Sequence, residues 1–459
     1  MQLNKLRLSV LFLAFIWFIP LASTAQQLDP ILKELINKGL NKSHTINIYN
    51  LDAKQAKVDQ KLARTVFLPK ITLSGSYTRL DDDITFDNNT QSLLTATQKL
   101  LIKEAAGMPF NAPFPSGIPL EPIPNLQNKN ILKSAMDVDW VLFSGFQASN
   151  ALKASKHKEA SLNHLSKAEE EKIALKIIEA YDKLALVNAS KRVLTTTENY
   201  LAEQEHYVRK AIENGLATPI GRKKIELAQH QLAGKLLEFE QNRTLLIEVL
   251  HQLTHESREN LSLLHPELLP FPIDSISNIE IRSEIKALEE AEQATLYQAK
   301  MEKSNFIPKI ALKGHYEFIE DDLSLLEPKW YVGVGIRWNV FNGFQTNLKS
   351  ERAKIESLKY RAQKDDAEEM MSLSITKARL DFESAKQNTK IVQKEIELAS
   401  DTYDMVNKQF KNNLASINDV LDALTDLEKA NFKLQESYLN QRKAGAELLH
   451  AKGILNYQY

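Results

Sequence analysis

The sequence contains no cysteine. That excludes disulfides, thiolate metal sites, a thiol nucleophile and an N-terminal lipid-bearing cysteine. Glycine is scarce, 14 in 459 residues, and with abundant Ala, Leu, Lys, Glu and Gln this points to a mostly helical chain. Neither sign of charge dominates: the net charge is −1, so nothing marks a nucleic-acid binder. There is no Gly-rich phosphate loop and no G-x-S-x-G elbow. His251 and His255 have the spacing of two metal ligands on one helix face, but Gln252 stands where a zinc protease carries glutamate, and a solvated helix face is the simpler reading.

Long apolar runs are confined to the N-terminus. Lys5 and Arg7 precede an apolar run at 8–21, and Ser23-Thr24-Ala25 offers a small-residue cleavage site, the pattern of a secretory signal over 1–25. The alternative is a membrane anchor, against which the run is shorter than the roughly 20 residues a spanning helix needs.

What is present is present twice. Phe67-Leu68-Pro69-Lys70 returns as Phe306-Ile307-Pro308-Lys309, and Phe143-Ser144-Gly145-Phe146-Gln147 as Phe341-Asn342-Gly343-Phe344-Gln345. Gly215-Leu216-Ala217-Thr218 has an echo in Asn413-Leu414-Ala415-Ser416. The halves are colinear, which defines a duplicated architecture: a first repeat at 26–270 and a second at 271–459. The first carries extra residues at 81–130, rich in aspartate, then proline. This is loop chemistry, and what it contacts is not legible in the sequence.

Each repeat contains a long segment free of proline and glycine, ending at a tight turn and a second helix. Hairpins are expected at 147–265 and 345–456. Ile173, Ile177, Ala180, Leu184 and Val187 keep a heptad. Gly215 and Asn413 tolerate the left-handed conformation that ends a helix, and Thr218 and Ser416 are N-cap types.

Strands are expected near 70–79, 135–143, 309–319 and 330–341, each with a period of two. Tyr77, Trp140, Tyr316, Trp330 and Trp338 fall on the apolar face, as an interfacial girdle facing lipid would require. Asp137, Asp139, Lys309, Lys313 and Arg337 fall on the other. A soluble sandwich is the alternative. If the strands span a membrane they must close into a barrel. Four cannot close, since the smallest such barrels have about eight, so several chains must share one. A tube of strands would then run directly into a tube of helices.

With these repeats in hand, the sequence resembles the TolC-like outer-membrane efflux protein family. Further marks are Arg282-Ser283-Glu284-Ile285-Lys286-Ala287-Leu288, opening the second half, and Asp419-Val420-Leu421-Asp422 in the last hairpin. The resemblance implies a mostly α fold with a membrane β part. Its long antiparallel hairpins would form a periplasmic tunnel, continuous with a trimeric twelve-stranded barrel in the outer membrane of a Gram-negative bacterium. It implies a passive exit duct for efflux or secretion, with no cofactor and no catalysis of its own, that docks a periplasmic adaptor and an inner-membrane transporter through the turns at Gly215, Leu216, Ala217, Thr218 and at Asn413, Leu414, Ala415, Ser416.

Asp419 and Asp422 match the family's acidic pair at the narrow mouth. Three residues apart, they share a helix face. Repulsion and burial among three copies would raise their pKa values, although acidic residues at a helix start also simply complement its dipole. A tyrosine and an arginine that help lock the family's mouth read here as Phe410 and Ala415. A soluble periplasmic coiled-coil scaffold or adaptor stays open as the competing reading.

Overall fold

A computed structural model describes residues 29–215, 217–271, 278–319 and 328–455. The signal at 1–25 and the turn residue Leu216 lie outside the described residues. In chain order the elements are α1 (Pro30–Lys42), α2 (His44–Thr65), β1 (Lys70–Arg79), α3 (Asn88–Ala105), β2 (Asn130–Phe143), α4 (Gln147–Glu213), α5 (Pro219–Thr254), α6 (Arg258–Ser262), α7 (Ser283–Lys303), β3 (Lys309–Ile319), β4 (Trp330–Arg337), α8 (Gln345–Lys411) and α9 (Ile417–Ala451).

The chain divides into two compact units that cut across the repeats. One holds the described residues of Met1–Ala53, Ala160–Glu290 and Tyr360–Tyr459; the other holds Lys54–Glu159 and Ala291–Lys359. Each unit therefore draws chain from both halves, unlike the division at 270 that duplication alone suggests. Packing, not sequence order, decides it.

The first unit is helical. Its core joins α1 to the middle of α4 through Leu32, Leu35, Ile36, Ile173, Ile177 and Leu184, with Leu250 from α5. The heptad positions of α4 are all buried, Ile173, Ile177, Ala180 and Leu184 of them in this cluster. A second cluster near the hairpin ends packs Leu194 and Leu201 against Tyr403, Val420, Leu424 and Leu427, so the hairpins of the two repeats share one core. Burying a large aliphatic side chain contributes about 1.5–3 kcal/mol. Most helix stability comes from such packing rather than from propensity.

The second unit carries one antiparallel sheet in the order β1-β2-β3-β4. β1 pairs with β2 from Lys70↔Asp139 to Arg79↔Asn130, and β3 with β4 from Lys309↔Arg337 to Tyr316↔Trp330. Two boundaries differ from expectation. β2 begins at Asn130 rather than near 135, because the ladder with β1 continues through Ile131 and Leu132, where apolar alternation has lapsed. β4 stops at Arg337 rather than 341, because its partner β3 begins at Lys309 and offers nothing further to pair with. Among the described residues no helix is long and apolar enough to cross a membrane.

Candidate functional site

Period-two alternation makes one face of the sheet largely apolar. Ile71, Leu73, Tyr77, Trp140, Tyr316, Phe318, Trp330, Val332, Val334 and Ile336 lie on it, and all are exposed. Trp338 is exposed too but sits just past the end of β4. An exposed apolar face this large is uncommon on a soluble monomer.

The two repeat-equivalent tryptophans are tied alike. The Trp140 indole donates to the Phe67 carbonyl at 2.9 Å, and the Trp338 indole to the Phe306 carbonyl at 2.9 Å. Both acceptors are the residue two before the Pro-Lys that begins a strand. The duplicated Phe-Leu-Pro-Lys and Phe-Ile-Pro-Lys strings were legible in the sequence; the bonds to them were not.

The opposite face is polar. His315 Nδ1 donates to Asp137 Oδ1 at 2.8 Å across the β2–β3 register, and the His315 ring stacks on Tyr331 at 5.2 Å. Lys313 approaches Asp139 at 3.9 Å. Sequence alternation places these residues on one face; only the register pairs them.

Strand passes to long helix through a turn built twice. Gly145 and Phe146 have φ of 64° and 66°, and Gly343 and Phe344 have 65° and 63°. A non-glycine residue in this region costs free energy. In each repeat the second Phe is held edge-on against the first: Phe146 against Phe143, the last residue of β2, at 5.2 Å, and Phe344 against Phe341, beyond the end of β4, at 5.4 Å.

At the hairpin ends, Gly215 and Asn413 both take the left-handed conformation, φ 75° and 62°. Gly215, Thr218, Asn413, Leu414 and Ser416 are exposed, with Ala217 and Ala415 partly covered. The two N-caps differ. Ser416 forms a full capping box with Asp419, whereas the Thr218 side chain makes no cap bond and Pro219 follows at the first helical position. The α4–α5 and α8–α9 hairpins lie side by side here. Tyr207 donates to the Lys411 carbonyl at 2.9 Å, Gln204 to Asn407 at 3.0 Å, and Lys224 to Asn418 at 2.6 Å. Phe410 packs its ring 5.4 Å from Tyr207.

Asp419 and Asp422 both lie on the uncovered side of α9, while Val420, Ala423 and Leu424 bury the other. The Asp419 carboxylate accepts from the Ser416 backbone N–H at 2.7 Å and its hydroxyl at 2.8 Å. These bonds favour the charged form and lower its pKa. In the single chain the direction is thus opposite to that expected of a crowded carboxylate ring, because the cap dominates. His251 and His255 do not share a helix face: His255 is the left-handed C-cap of α5, and His251 Nδ1 donates to the Glu256 carbonyl at 2.6 Å.

The fold is thus mostly helical, with long paired helical hairpins and a small antiparallel sheet that is apolar on one face and polar on the other. Among solved structures the chain is similar to the outer membrane protein VceC from Vibrio cholerae (TM-score 0.70, 16% identity, 93% of this chain and 96% of that one). It is also similar to the CmeC outer membrane channel of Campylobacter jejuni (0.67, 14%, 93% and 86%) and the MtrE outer membrane channel of Neisseria gonorrhoeae (0.66, 15%, 94% and 91%). At these identities the likeness is one of fold. No curated protein matches. Residues 278–453 match the family described as Outer membrane efflux protein. A soluble scaffold, the competing expectation, accounts for the helices but not for this match.

Proposed function

We propose that this chain is one third of a trimeric exit duct in the outer membrane of a Gram-negative bacterium. The single observation that carries the reading is an open four-stranded sheet with an exposed apolar face, whose edges β1 and β4 are unpaired among the described residues. A bilayer leaves no water to satisfy edge N–H and C=O groups, so such a sheet must be closed. Three copies give twelve strands, with β4 of each meeting β1 of the next. The aromatic residues Tyr77, Trp140, Tyr316, Trp330 and Trp338 then face lipid and headgroups. Asp137, Asp139, Lys313 and His315 face the wet interior.

Outside the sheet, α8 carries an exposed apolar stripe, Leu373, Leu380, Ile391, Leu398 and Met405, stepping largely by seven. That spacing suits packing against a neighbouring copy. The turns at Gly215, Ala217, Thr218 and at Asn413, Leu414, Ala415, Ser416, together with Leu216, dock a periplasmic adaptor and an inner-membrane transporter, which supplies the energy. The duct itself is passive. Asp419 and Asp422 from three copies ring the narrow mouth, draw cations and admit divalent block. With Phe410 and Ala415 at the family's locking positions, the Tyr207–Phe410 contact takes over part of the closure.

The test is recording in planar bilayers with the purified protein. A detergent-requiring trimer should conduct, with divalent-cation block that Asp419→Asn combined with Asp422→Asn removes. Protein that stays dispersed without detergent and does not conduct refutes the duct; block unchanged in the double variant refutes the gate.

A further inference from the structure

The insertion between β1 and β2 folds a helix whose amphipathicity is inverted. α3 is capped by Asp87, whose Oδ1 accepts from the Asn89 and Thr90 backbone N–H groups at 3.0 Å each. The side that α3 turns to its own chain is largely polar. Gln91 donates to the Phe86 carbonyl at 2.7 Å, and the Gln98 amide, in the orientation that satisfies both its groups, pairs with the backbone of Glu121 at 2.8 and 3.2 Å. Lys103 donates to the Phe110 carbonyl at 3.2 Å and to that of Ala112. The leucines point elsewhere. Leu93 and Leu101 are each 66% exposed, Leu94 and Leu100 are exposed too, and no residue of α3 is buried. Leu93 to Leu100 and Leu94 to Leu101 are steps of seven, the spacing of a helix–helix seam.

The location of α3 says what covers the stripe. The insertion is rooted on the β1–β2 hairpin: Leu80 N–H donates to the Lys129 carbonyl at 2.8 Å, Lys129 N–H to Asp83 at 2.6 Å, and Ile84 pairs with Gln127. It therefore extends β1, the edge strand that must meet the next copy if the barrel is to close. A helix lying on lipid would carry a basic polar face and aromatic anchors. α3 has neither Arg, Trp, Tyr nor Phe, and of its two lysines Lys103 is spent on the loop's own carbonyls.

We propose that the leucine stripe of α3 packs on the α3 helices of the other two copies. A three-helix cap then narrows the extracellular mouth of the pore, independently of the periplasmic gate. This rests on the trimeric duct reading.

The absence of native cysteine makes the test direct. In the purified full-length protein, Leu101→Cys should form disulfide-linked dimers on oxidation, and Lys99→Cys, off the stripe, should not. Leu93→Glu with Leu100→Glu should leave the trimer mass unchanged and raise single-channel conductance. An intact trimer in which the thiol introduced by Leu101→Cys stays maleimide-reactive and uncrosslinked, with conductance unchanged in the glutamate variant, overturns the cap alone. Labelling of that thiol in the pure trimer but shielding on intact cells overturns it in favour of a cell-surface lipid or other partner. A monomeric mass in mild detergent overturns the duct reading and the cap with it.

Discussion

Replacing Arg442 by methionine should destabilise the helical unit, and the size of the effect follows from what it leaves behind. Arg442 on α9 donates to Asp182 Oδ1 at 2.9 Å. Asp182, on α4, is 3% exposed. Burial pushes the Asp182 carboxyl above its ordinary range, and the Arg442 guanidinium pulls it part of the way back. Removing only the cation strands a buried carboxylate, which costs about 3–5 kcal/mol. An unfolding entropy of about 2.1 cal/mol/K per residue corresponds to about 1 kcal/mol per degree for a chain of this size. The melting temperature should therefore fall by about 3–5 °C at pH 8.

The loss should shrink at pH 5. A carboxyl whose folded pKa lies above its unfolded value contributes stability below the unfolded value and loses it as pH rises through the folded one. Asp182→Leu combined with Arg442→Met should recover most of the loss, since an apolar pair carries no desolvation cost. Thermal scans of the four proteins of this cycle at both pH values decide it. Additive single effects, or a deficit for Arg442→Met that is the same at pH 5 and pH 8, would refute the reasoning.

Two further outcomes follow from the hairpin ends and the α5 cap. Ser416→Ala removes the capping box. It should speed hydrogen exchange at the start of α9 about five-fold, for about 1 kcal/mol, while divalent block persists because Asp419 keeps its charge; loss of block would mean that the cap, not the carboxylate, forms the mouth. Glu256, bonded to Lys38, to Asn260 at 2.7 Å and to the Ser257 N–H at 3.2 Å, has its pKa lowered to about 2. Its contribution is therefore present above its unfolded value of 4.5 and lost as pH falls toward 2. The difference in melting temperature between the parent and Glu256→Gln should vanish over that window, and a difference that does not change with pH counts against it.

The duplication, the period-two strands, the proline- and glycine-free helices and the left-handed turn residues were all legible in the sequence. Each is a local property: Gly215 and Asn413 sit where backbone sterics admit few other residues, and the strand alternation follows from a two-residue repeat. Strand ends were less legible, because Asn130 and Arg337 are set by the length of the strand alongside. The tertiary structure alone decided which groups meet over long separations. It pairs His315 with Asp137, Trp140 with the Phe67 carbonyl, Arg442 with Asp182 and Phe410 with Tyr207. It also turned Asp419 toward Ser416, whose bonds lower the Asp419 pKa in the single chain. Sequence periodicity records which face a residue takes; only packing fixes what lies across from it.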